Sequence, residues 1–375
     1  MVINGFCDER FLPLKHAFRA NFDAGLELGA SLALAHRGKI VVDLWGGFAD
    51  SAKTTPWRED TITIVYSTTK IMATIATLMV VDRGQLELDA PIARYWPEFA
   101  QGGKENVMVR DALTFQAGVP GFDPPVSFES VHDWDATVAR IAAMPHWFDG
   151  ERRICYHPTT YGFLLGELVR RVDGRPMAQF FREEIAQKLH ADFQIGLSSK
   201  DDLSRLAVHQ FLKAPAPLEG FRAKVMDSVA AGNWWTWERL SADIPAASGM
   251  GNGRSIAKVC SIIALGGDVD GTLFMSRRMA DEAAREQAVG ECPCMGPVRF
   301  GLGLALHSDF FPAPSPTSIH WGGFGGSWAL MDPRAGVSFG YAMNNLIVSV
   351  EDDALVMDPR LKRFSDALEK ILPGL

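Results

Sequence analysis

The two ends of this 375-residue chain carry the same pattern, a pair of short apolar runs joined by a turn. Near the N-terminus SLALAH and KIVVDLWGG flank Arg37-Gly38, and near the C-terminus SWALMD and GVSFGYAMN flank residues 333–336. Such runs around short turns are typical of antiparallel hairpins. Apolar residues at helical spacing close the chain over residues 361–372. The pattern predicts one antiparallel sheet, flanked by helices, to which both termini contribute strands.

The middle of the chain is predicted to be mainly helical. Apolar residues recur at helical spacing over residues 70–83, 109–116, 135–144, 161–172 and 177–189. A helical region inserted into a sheet predicts an α/β fold with an all-helical region and two domains. The predicted α/β domain comprises residues 1–65 and 245–375, and the mainly helical domain comprises residues 66–244, with the active site at the interface.

Two stretches rich in proline, glycine and aromatic residues interrupt the helical patterns, at 117–130 and 212–237. We predict that they are loops that wall a pocket. Trp234, Trp235 and Trp237 lie in the second stretch, where they either belong to the core or line a pocket for the acyl group of a substrate. We predict that Trp234 and Trp235 bind substrate.

Composition excludes several classes of function. The hydrophobic content of 47% and charged content of 22% are those of an ordinary globular protein. A net charge of −8 and the absence of a basic run argue against a nucleic-acid surface. No run of 18 apolar residues is present, so no transmembrane helix is predicted. Charged residues at 8–10 stand where a secretory signal needs an apolar segment, which predicts a cytoplasmic protein.

The five cysteines are odd in number and scattered along the chain, at Cys7, Cys155, Cys260, Cys292 and Cys294. This arrangement predicts reduced thiols rather than a disulfide framework. Residues 292–294 read Cys-Pro-Cys, which is not the CxxC spacing of a metal or redox pair. The histidines show no HExxH spacing. We therefore predict neither a metal nor a cofactor.

Two segments place a serine three residues before a lysine, Ser67–Lys70 and Ser255–Lys258. Residues at this spacing on a helix lie about 5–6 Å apart at Cβ, so the amine can approach the hydroxyl. The apolar run after Lys70 predicts burial, which lowers the pKa of a lysine and makes it a proton acceptor. Ser255 follows a glycine-rich segment and is predicted to be a helix N-cap. A cap is also the alternative role for Ser67, the predicted nucleophile.

Four segments together resemble the superfamily of serine β-lactamases and penicillin-binding proteins, and within it the class C-like, family VIII carboxylesterases. They are STTK at 67–70, RGQLELDAPIARYWPEF at 83–99, YHPTTYGFLLGELVRRVDGR at 156–175 and HWGGFGGSWALMDPRAGVSFGYAMN at 320–344. The resemblance spans roughly residues 20–345. It implies the β-lactamase-like fold, with Ser67 as nucleophile and Lys70 as its proton acceptor.

The two remaining motifs of the family match only in part. The resemblance assigns Tyr156 to the tyrosine of a Tyr-x-Asn motif, which assists proton transfer, but proline follows at 158 where the family has asparagine. Trp321-Gly322-Gly323 takes the place of Lys-Thr-Gly, a variant found among esterases of the family. An indole replaces the cation that binds the carboxylate of β-lactams, which points to neutral esters. Trp321, Gly322 and Gly323 are predicted to bind substrate.

The oxyanion hole and the histidines complete the predicted site. By the resemblance, the backbone N–H groups of Ser67 and Phe324 stabilise the tetrahedral intermediate. The glycines around Phe324 let the backbone approach a ligand, although a glycine-rich edge strand is the alternative. His157 and His320 neighbour the motifs but show no Asp-His-Ser order, and no GxSxG elbow occurs. Both histidines are predicted to be structural or to line the pocket.

The predicted function is hydrolysis of short-chain neutral esters, which are small molecules, through an acyl-enzyme on Ser67. Lys70 and Tyr156 share the role of general base. Three alternatives stay open: a β-lactamase or D-amino-acid peptidase, an acyltransferase or amidase, and a binding protein without catalysis. Retention of the serine, lysine and tyrosine disfavours the last, and Trp321 disfavours the first. The sequence indicates no oligomeric state.

Overall fold

The computed structural model describes residues 2–212, 217–348 and 357–375, together with the backbone of residues 350–351 and 354–355. Residues 213–216 of the second predicted pocket loop lie outside the described residues. The strands are β1 (Ile3–Cys7), β2 (Gly29–His36), β3 (Lys39–Gly47), β4 (Thr63–Ile64), β5 (Gln194–Ile195), β6 (Gln210–Phe211), β7 (Gly249–Gly251), β8 (Asp268–Val269), β9 (Thr272–Leu273), β10 (Ala288–Cys292), β11 (Gly296–Phe300), β12 (Ala305–Leu306), β13 (Ile319–Gly322), β14 (Trp328–Asp332), β15 (Val337–Met343), β16 (Asn345–Leu346), β17 (Val350–Glu351) and β18 (Ala354–Leu355). The α-helices are α1 (Leu12–Asp23), α2 (Thr69–Asp82), α3 (Val109–Leu113), α4 (Trp134–Ala143), α5 (Thr160–Asp173), α6 (Met177–Phe181), α7 (Gly220–Met226), α8 (Trp237–Leu240), α9 (Gly253–Ala264), α10 (Arg277–Ala284) and α11 (Pro359–Ile371).

The two predicted hairpins meet at the centre of one large sheet. Within the described residues, nine strands form this antiparallel sheet in the order β1–β3–β2–β15–β14–β13–β12–β11–β10. The turn between β2 and β3 has positive φ at Arg37 (50°) and Gly38 (83°), as a two-residue hairpin turn requires. β15 pairs with β2, so that Tyr341 lies opposite Leu32. The sheet is therefore built from both ends of the chain, as predicted.

Helices cover both faces of the sheet. On one face α1 and α11 pack against each other, and Phe18, Phe339 and Phe364 belong to the core beneath them. On the other face α9 lies across β2, β14 and β15. A Cβ atom at Gly340 of β15 would lie 2.3 Å from the backbone oxygen of Gly253 in α9. Glycine at this position permits the close contact between helix and sheet.

The helical region is built around α2, which is buried from Thr69 to Val80 and packs against α5, α6 and α9. A helix that is buried on all sides reads as apolar all round, as its sequence does. The 3-10 turn Tyr66–Thr68 that precedes α2 lies beside β13 of the sheet. The start of α2 is thus the point where the sheet and the helical region meet.

Two predicted helices differ from the structure. The segment predicted over 109–116 ends at Leu113, and Phe115 has a φ of 59°, which α-helical backbone does not allow. The segment predicted over 177–189 is α-helical only to Phe181 and continues as a π-helix, Arg182–Ala186. The strands of the large sheet lie within residues 3–343 and α2 to α8 within 69–240, but the domain boundaries themselves stay a prediction. None of the helices in the described part is long and apolar enough to cross a bilayer.

Candidate active site

Ser67 is held by the turn that joins β4 to α2. The preceding residue, Tyr66, has a φ of 45°, which is uncommon outside glycine and has to be maintained by its surroundings. The Tyr66 hydroxyl lies 3.1 Å from Nδ1 of His209, and its ring packs edge-on against Trp234 and Phe324, with ring centroids 5.0 and 5.5 Å away. These contacts fix the turn and so the direction of the Ser67 side chain.

The structure brings the predicted serine, lysine and tyrosine together. Ser67 Oγ lies 3.0 Å from Lys70 Nζ and 2.6 Å from the Tyr156 hydroxyl. Lys70 Nζ also donates to the backbone oxygens of Pro158 (2.7 Å) and Ala246 (3.0 Å). The three partners of the amine are therefore one hydroxyl and two carbonyl groups.

Burial controls the protonation of both Lys70 and Tyr156. Lys70 is fully buried, and removal from water lowers the pKa of its amine well below the usual lysine value. Desolvation raises the pKa of the Tyr156 hydroxyl above its usual value, although the contact with Ser67 acts in the opposite direction. Burial therefore acts in favour of the uncharged form of both groups, the amine of Lys70 and the phenol of Tyr156.

The three oxygens around Lys70 Nζ can accept from an ammonium, and they also accommodate a neutral amine. A neutral amine has two N–H donors and one lone pair, and two carbonyl oxygens stand ready to accept from it. The lone pair is then left for the hydroxyl hydrogen of Ser67. This arrangement makes the amine a proton acceptor positioned at the serine.

Strand β13 and the residues after it form the opposite wall of the site. Trp321 is buried, stacks on Phe115 (centroids 5.7 Å apart) and packs against Tyr156 (5.5 Å). A Cβ atom at Gly323 would lie 2.1 Å from the backbone oxygen of Val65. Only glycine permits this approach, which brings the backbone that leads into Phe324 next to the turn that carries Ser67.

A cavity of about 840 Å³ opens in front of the serine. It is lined by Ser67 and Tyr156 and by every residue predicted to bind substrate: Trp234, Trp235, Trp321, Gly322 and Gly323, with Phe324 beside them. Trp237, by contrast, is not among the lining residues in the described part of the chain. It begins α8, and its ring lies beneath the amine of Lys200. Of the two alternatives left open for Trp237, the core and the pocket, the structure agrees with the first, because Trp237 packs against the core that includes Phe339 and Phe364.

The cavity is also lined by individual residues that the sequence analysis did not name. Additional aromatic residues line it, namely Phe128, Phe211, Phe310 and Phe311, and so does Arg239. They come from segments far apart in the chain. Arg239 stands four residues after Trp235, in α8, just beyond the aromatic-rich stretch 212–237.

Three of the cysteines converge behind Tyr156. Cys292 Sγ accepts the backbone N–H of Tyr156 (3.2 Å) and lies 3.5 Å from Cys294 Sγ. The neighbouring thiols, Cys292 first, raise the pKa of the Cys155 thiol. All five cysteines are free, as predicted. No local feature of the sequence indicates that Cys155 will lie beside the other two.

The histidines beside the motifs make contacts with neighbouring structure. His157 Nδ1 lies 2.6 Å from the backbone oxygen of Cys155, and His320 Nδ1 accepts from the indole N–H of Trp328 (3.2 Å). Burial lowers the pKa of each imidazole to about 4. His320 also lines the cavity. Among the described residues, no hydrogen bond joins either ring to Ser67.

The second Ser-x-x-Lys segment has a different environment. The N-cap of α9 is Asn252, whose side chain accepts the N–H of Ser255, and Ser255 Oγ accepts the N–H of Asn252 in return (3.0 Å). Ser255 is thus the third residue of a capping box, not the N-cap that was predicted. The prediction placed the cap three residues too late because an Asn before a glycine-rich turn is an equally good cap.

The Beta-lactamase family matches residues 18–358. The chain belongs to the beta-lactamase family. Over 361 residues it is 32% identical to the esterase/beta-lactamase LipL of Mycobacterium tuberculosis, covering 92% of this chain and 83% of that protein. The beta-lactamase family relationship and the fold that the sequence predicted are therefore confirmed.

Two solved structures are similar to this chain along nearly its whole length. One is the crystal structure of a family VIII carboxylesterase, 34% identical, with a TM-score of 0.90 over 99% of this chain and 100% of that one. The other is a penicillin-binding protein homologue from Caulobacter crescentus, 35% identical, with the same TM-score and the same coverage. They confirm the predicted class of enzyme, a serine hydrolase with the β-lactamase fold.

Proposed function

We propose that this protein is a serine carboxylesterase that hydrolyses short-chain neutral esters through an acyl-enzyme on Ser67. The observation that carries the proposal is the buried amine of Lys70, 3.0 Å from Ser67 Oγ, with the Tyr156 hydroxyl 2.6 Å away on the same oxygen. The names of LipL and of the family VIII carboxylesterase support ester hydrolysis.

In the first step Ser67 Oγ attacks the ester carbonyl carbon while its proton passes to Lys70 Nζ. The carbonyl groups of Pro158 and Ala246 hold the amine in place and stabilise the ammonium once it has formed. The negative charge moves to the carbonyl oxygen of the ester. We assign the oxyanion hole to the backbone N–H groups of Ser67 and Phe324.

Collapse of the tetrahedral intermediate releases the alcohol and leaves the acyl group on Ser67. The leaving oxygen needs a proton, and the Tyr156 hydroxyl is the donor we assign, since its raised pKa keeps it protonated. Tyr156 then regains a proton from the Lys70 ammonium. Water then attacks the acyl-enzyme, and the protons move in the reverse direction. Tyr156 takes the proton of water and passes its own to Lys70, and Lys70 returns a proton to Ser67 Oγ as the acid leaves. In this assignment Lys70 is the base and Tyr156 the relay, which divides the general-base role that the sequence analysis gave to both.

Trp321 supports the choice of neutral esters over β-lactams. It lies where the resemblance places a lysine, so the wall beside Tyr156 offers an indole and no cation to a carboxylate next to the scissile bond. The β-lactamase alternative is kept because the name of LipL includes that activity. Acyl transfer differs from hydrolysis only in the nucleophile that attacks the acyl-enzyme.

The test compares kcat/KM for p-nitrophenyl butyrate and nitrocefin in the wild type and in Trp321→Lys. We expect kcat/KM of the wild type to be higher for the ester than for nitrocefin by at least about a hundredfold. Trp321→Lys should lower this ratio by about tenfold, because a cation beside a carboxylate is worth about 1–3 kcal/mol. Equal efficiency on nitrocefin in the wild type would replace the esterase assignment by the β-lactamase one. Adding methanol to the ester assay and measuring methyl butyrate distinguishes acyl transfer from hydrolysis.

A further inference from the structure

The active-site cavity contains a second buried cation, separate from Lys70. Arg239 lies in α8, lines the cavity and is only 4% exposed. Its guanidinium carbon lies 3.7 Å from the ring centroid of Trp234 and 4.2 Å from that of Phe128. The two rings form a corner that covers two sides of the guanidinium group.

Within the described residues, Arg239 has no carboxylate partner for its side chain, and its Nε is buried without a hydrogen bond. Arg360, the other buried arginine among the described residues, shows which partners this fold provides for a buried guanidinium group. Arg360 makes ion pairs with Asp358 (2.6 Å) and Glu27 (3.4 Å) and also donates to two backbone oxygens. A buried charge without a partner is costly, so it is exceptional outside functional sites.

The guanidinium of Arg239 is nevertheless charged near neutral pH. Desolvation lowers its pKa to about 9, which still leaves the group protonated at pH 7. Aromatic rings attract a cation but accept none of its N–H bonds as a carboxylate does. Since Arg239 lines the cavity and no oxygen of the described residues accepts from its side chain, its N–H groups can bind an anion that enters the cavity.

Arg239 and Ser67 face the same space. The Trp234 ring that contacts Arg239 also contacts Tyr66, the residue before the nucleophile. The cavity of about 840 Å³ is at the upper end of the range for drug-sized ligands, about 300–1,000 Å³, and exceeds what a short ester fills. Among the described residues, two carboxylates line it: Asp358 is paired with Arg360, and Asp227 is exposed to water.

We propose that Arg239 binds a carboxylate carried by the ester substrate at the end remote from the bond that Ser67 attacks. The inference rests on the proposed esterase function and names its substrate class, esters with a distant carboxylate such as half-esters of dicarboxylic acids. It agrees with Trp321, whose indole leaves the wall next to the scissile bond without a cation, whereas Arg239 places a cation at another point of the cavity lining. Neutral short esters are then substrates that leave Arg239 unpaired.

The test uses mono-p-nitrophenyl esters of glutaric, adipic and suberic acid, each matched with the neutral compound in which the free carboxyl is methylated. Release of p-nitrophenol gives kcat/KM for both members of a pair. We expect the charged ester to be preferred at one or more chain lengths. A hydrogen-bonded ion pair is worth about tenfold to a hundredfold in this ratio.

Arg239→Gln should lower the charged-to-neutral ratio by that factor, mainly through KM, and Arg239→Lys should retain part of it because the charge stays while the planar fork is lost. Arg278→Gln is the control, since this exposed arginine lies on α10 and does not line the cavity. It should leave the ratio unchanged.

The outcomes separate the two proposals. If the charged-to-neutral ratio of kcat/KM in the wild type is at or below one at every chain length, the carboxylate site is overturned even if no variant folds. An unchanged ratio in Arg239→Gln also overturns it. In either case, hydrolysis of the neutral esters still supports the esterase. If the wild type hydrolyses no member of the series and no p-nitrophenyl butyrate, the proposed function itself fails.

Discussion

The chain carries the Ser-x-x-Lys spacing twice, at the start of α2 and at the start of α9, and the two serines have different partners. Ser67 Oγ faces a cavity and touches Lys70 and Tyr156. Ser255 Oγ is buried, donates to the backbone oxygen of Asn252 and accepts the N–H of the same residue. The spacing alone therefore allows either a nucleophile or a cap.

The two lysines differ in the same way. Lys70 Nζ is fully buried and reaches its own serine, whereas Lys258 Nζ donates to the backbone oxygen of His190 (2.8 Å). Burial also lowers the pKa of Lys258, but with the carboxylate of Asp43 acting in the opposite direction. A lowered lysine pKa is thus not sufficient to make a Ser-x-x-Lys segment catalytic. Chemistry requires the amine, the hydroxyl and a space for substrate at one place.

The largest effect is expected from Ser67→Ala. Without the hydroxyl no acyl-enzyme forms, and loss of the nucleophile of a serine hydrolase costs about a millionfold in kcat. Hydrolysis of p-nitrophenyl butyrate should fall to background while the circular dichroism spectrum and melting temperature stay close to the wild type. Activity within about tenfold of the wild type in a folded Ser67→Ala protein would assign the nucleophile elsewhere.

Lys70→Ala and Tyr156→Phe should each lower kcat by about a hundredfold to ten-thousandfold, the usual size of acid–base assistance. KM should change little, because proton transfer matters in the transition state. The double variant should lose much less than the product of the two single losses, since Lys70 and Tyr156 act on one Ser67 oxygen. Independent, multiplicative losses would contradict the shared proton path.

The pH dependence of kcat/KM tests the lowered pKa of Lys70. Only the neutral amine accepts the proton of Ser67, so activity should rise with pH and level off well below about pH 10.4, the usual lysine value. The measurement runs from about pH 4 to about pH 10 on p-nitrophenyl butyrate, with Ser67→Ala as the blank for spontaneous hydrolysis. A rate that is still climbing at about pH 10, the end of this range, would mean that Lys70 titrates as a solvated lysine.

Much of the site was predictable because its signals are local. The turn residues of the hairpins, the apolar run after Lys70 and the glycines beside Trp321 each determine a feature of their own segment. What escaped prediction depends on packing between distant segments. Nothing near Cys155 indicates that Cys292 will lie behind Tyr156, and nothing near Arg239 indicates that its guanidinium will pack on the ring of Phe128.

Caps and helix ends show the same limit on a smaller scale. Asn252 and Ser255 are both good N-cap residues, and the choice between them depends on how α9 docks on the sheet, where Gly253 approaches Gly340. The apolar spacing over 177–189 predicts a helix, yet it does not distinguish α-helix from the π-helical turn that follows Phe181. In these segments the periodicity of apolar residues predicts that a helix is present, whereas tertiary contacts determine where it begins and ends.

The smallest effect is expected from Ser255→Ala, the counterpart of Ser67→Ala on the other helix. The variant leaves the N–H of Asn252 without its partner at a buried position, which costs about 1–2 kcal/mol of unfolding free energy. Urea unfolding should show a lower midpoint with the same slope, and kcat for p-nitrophenyl butyrate should stay within about twofold of the wild type. Ser255→Thr keeps the hydroxyl and should recover part of the stability, which separates the lost bond from a general disturbance of α9. If Ser255→Ala instead abolished turnover in a folded protein, the roles assigned to the two segments would have to be exchanged.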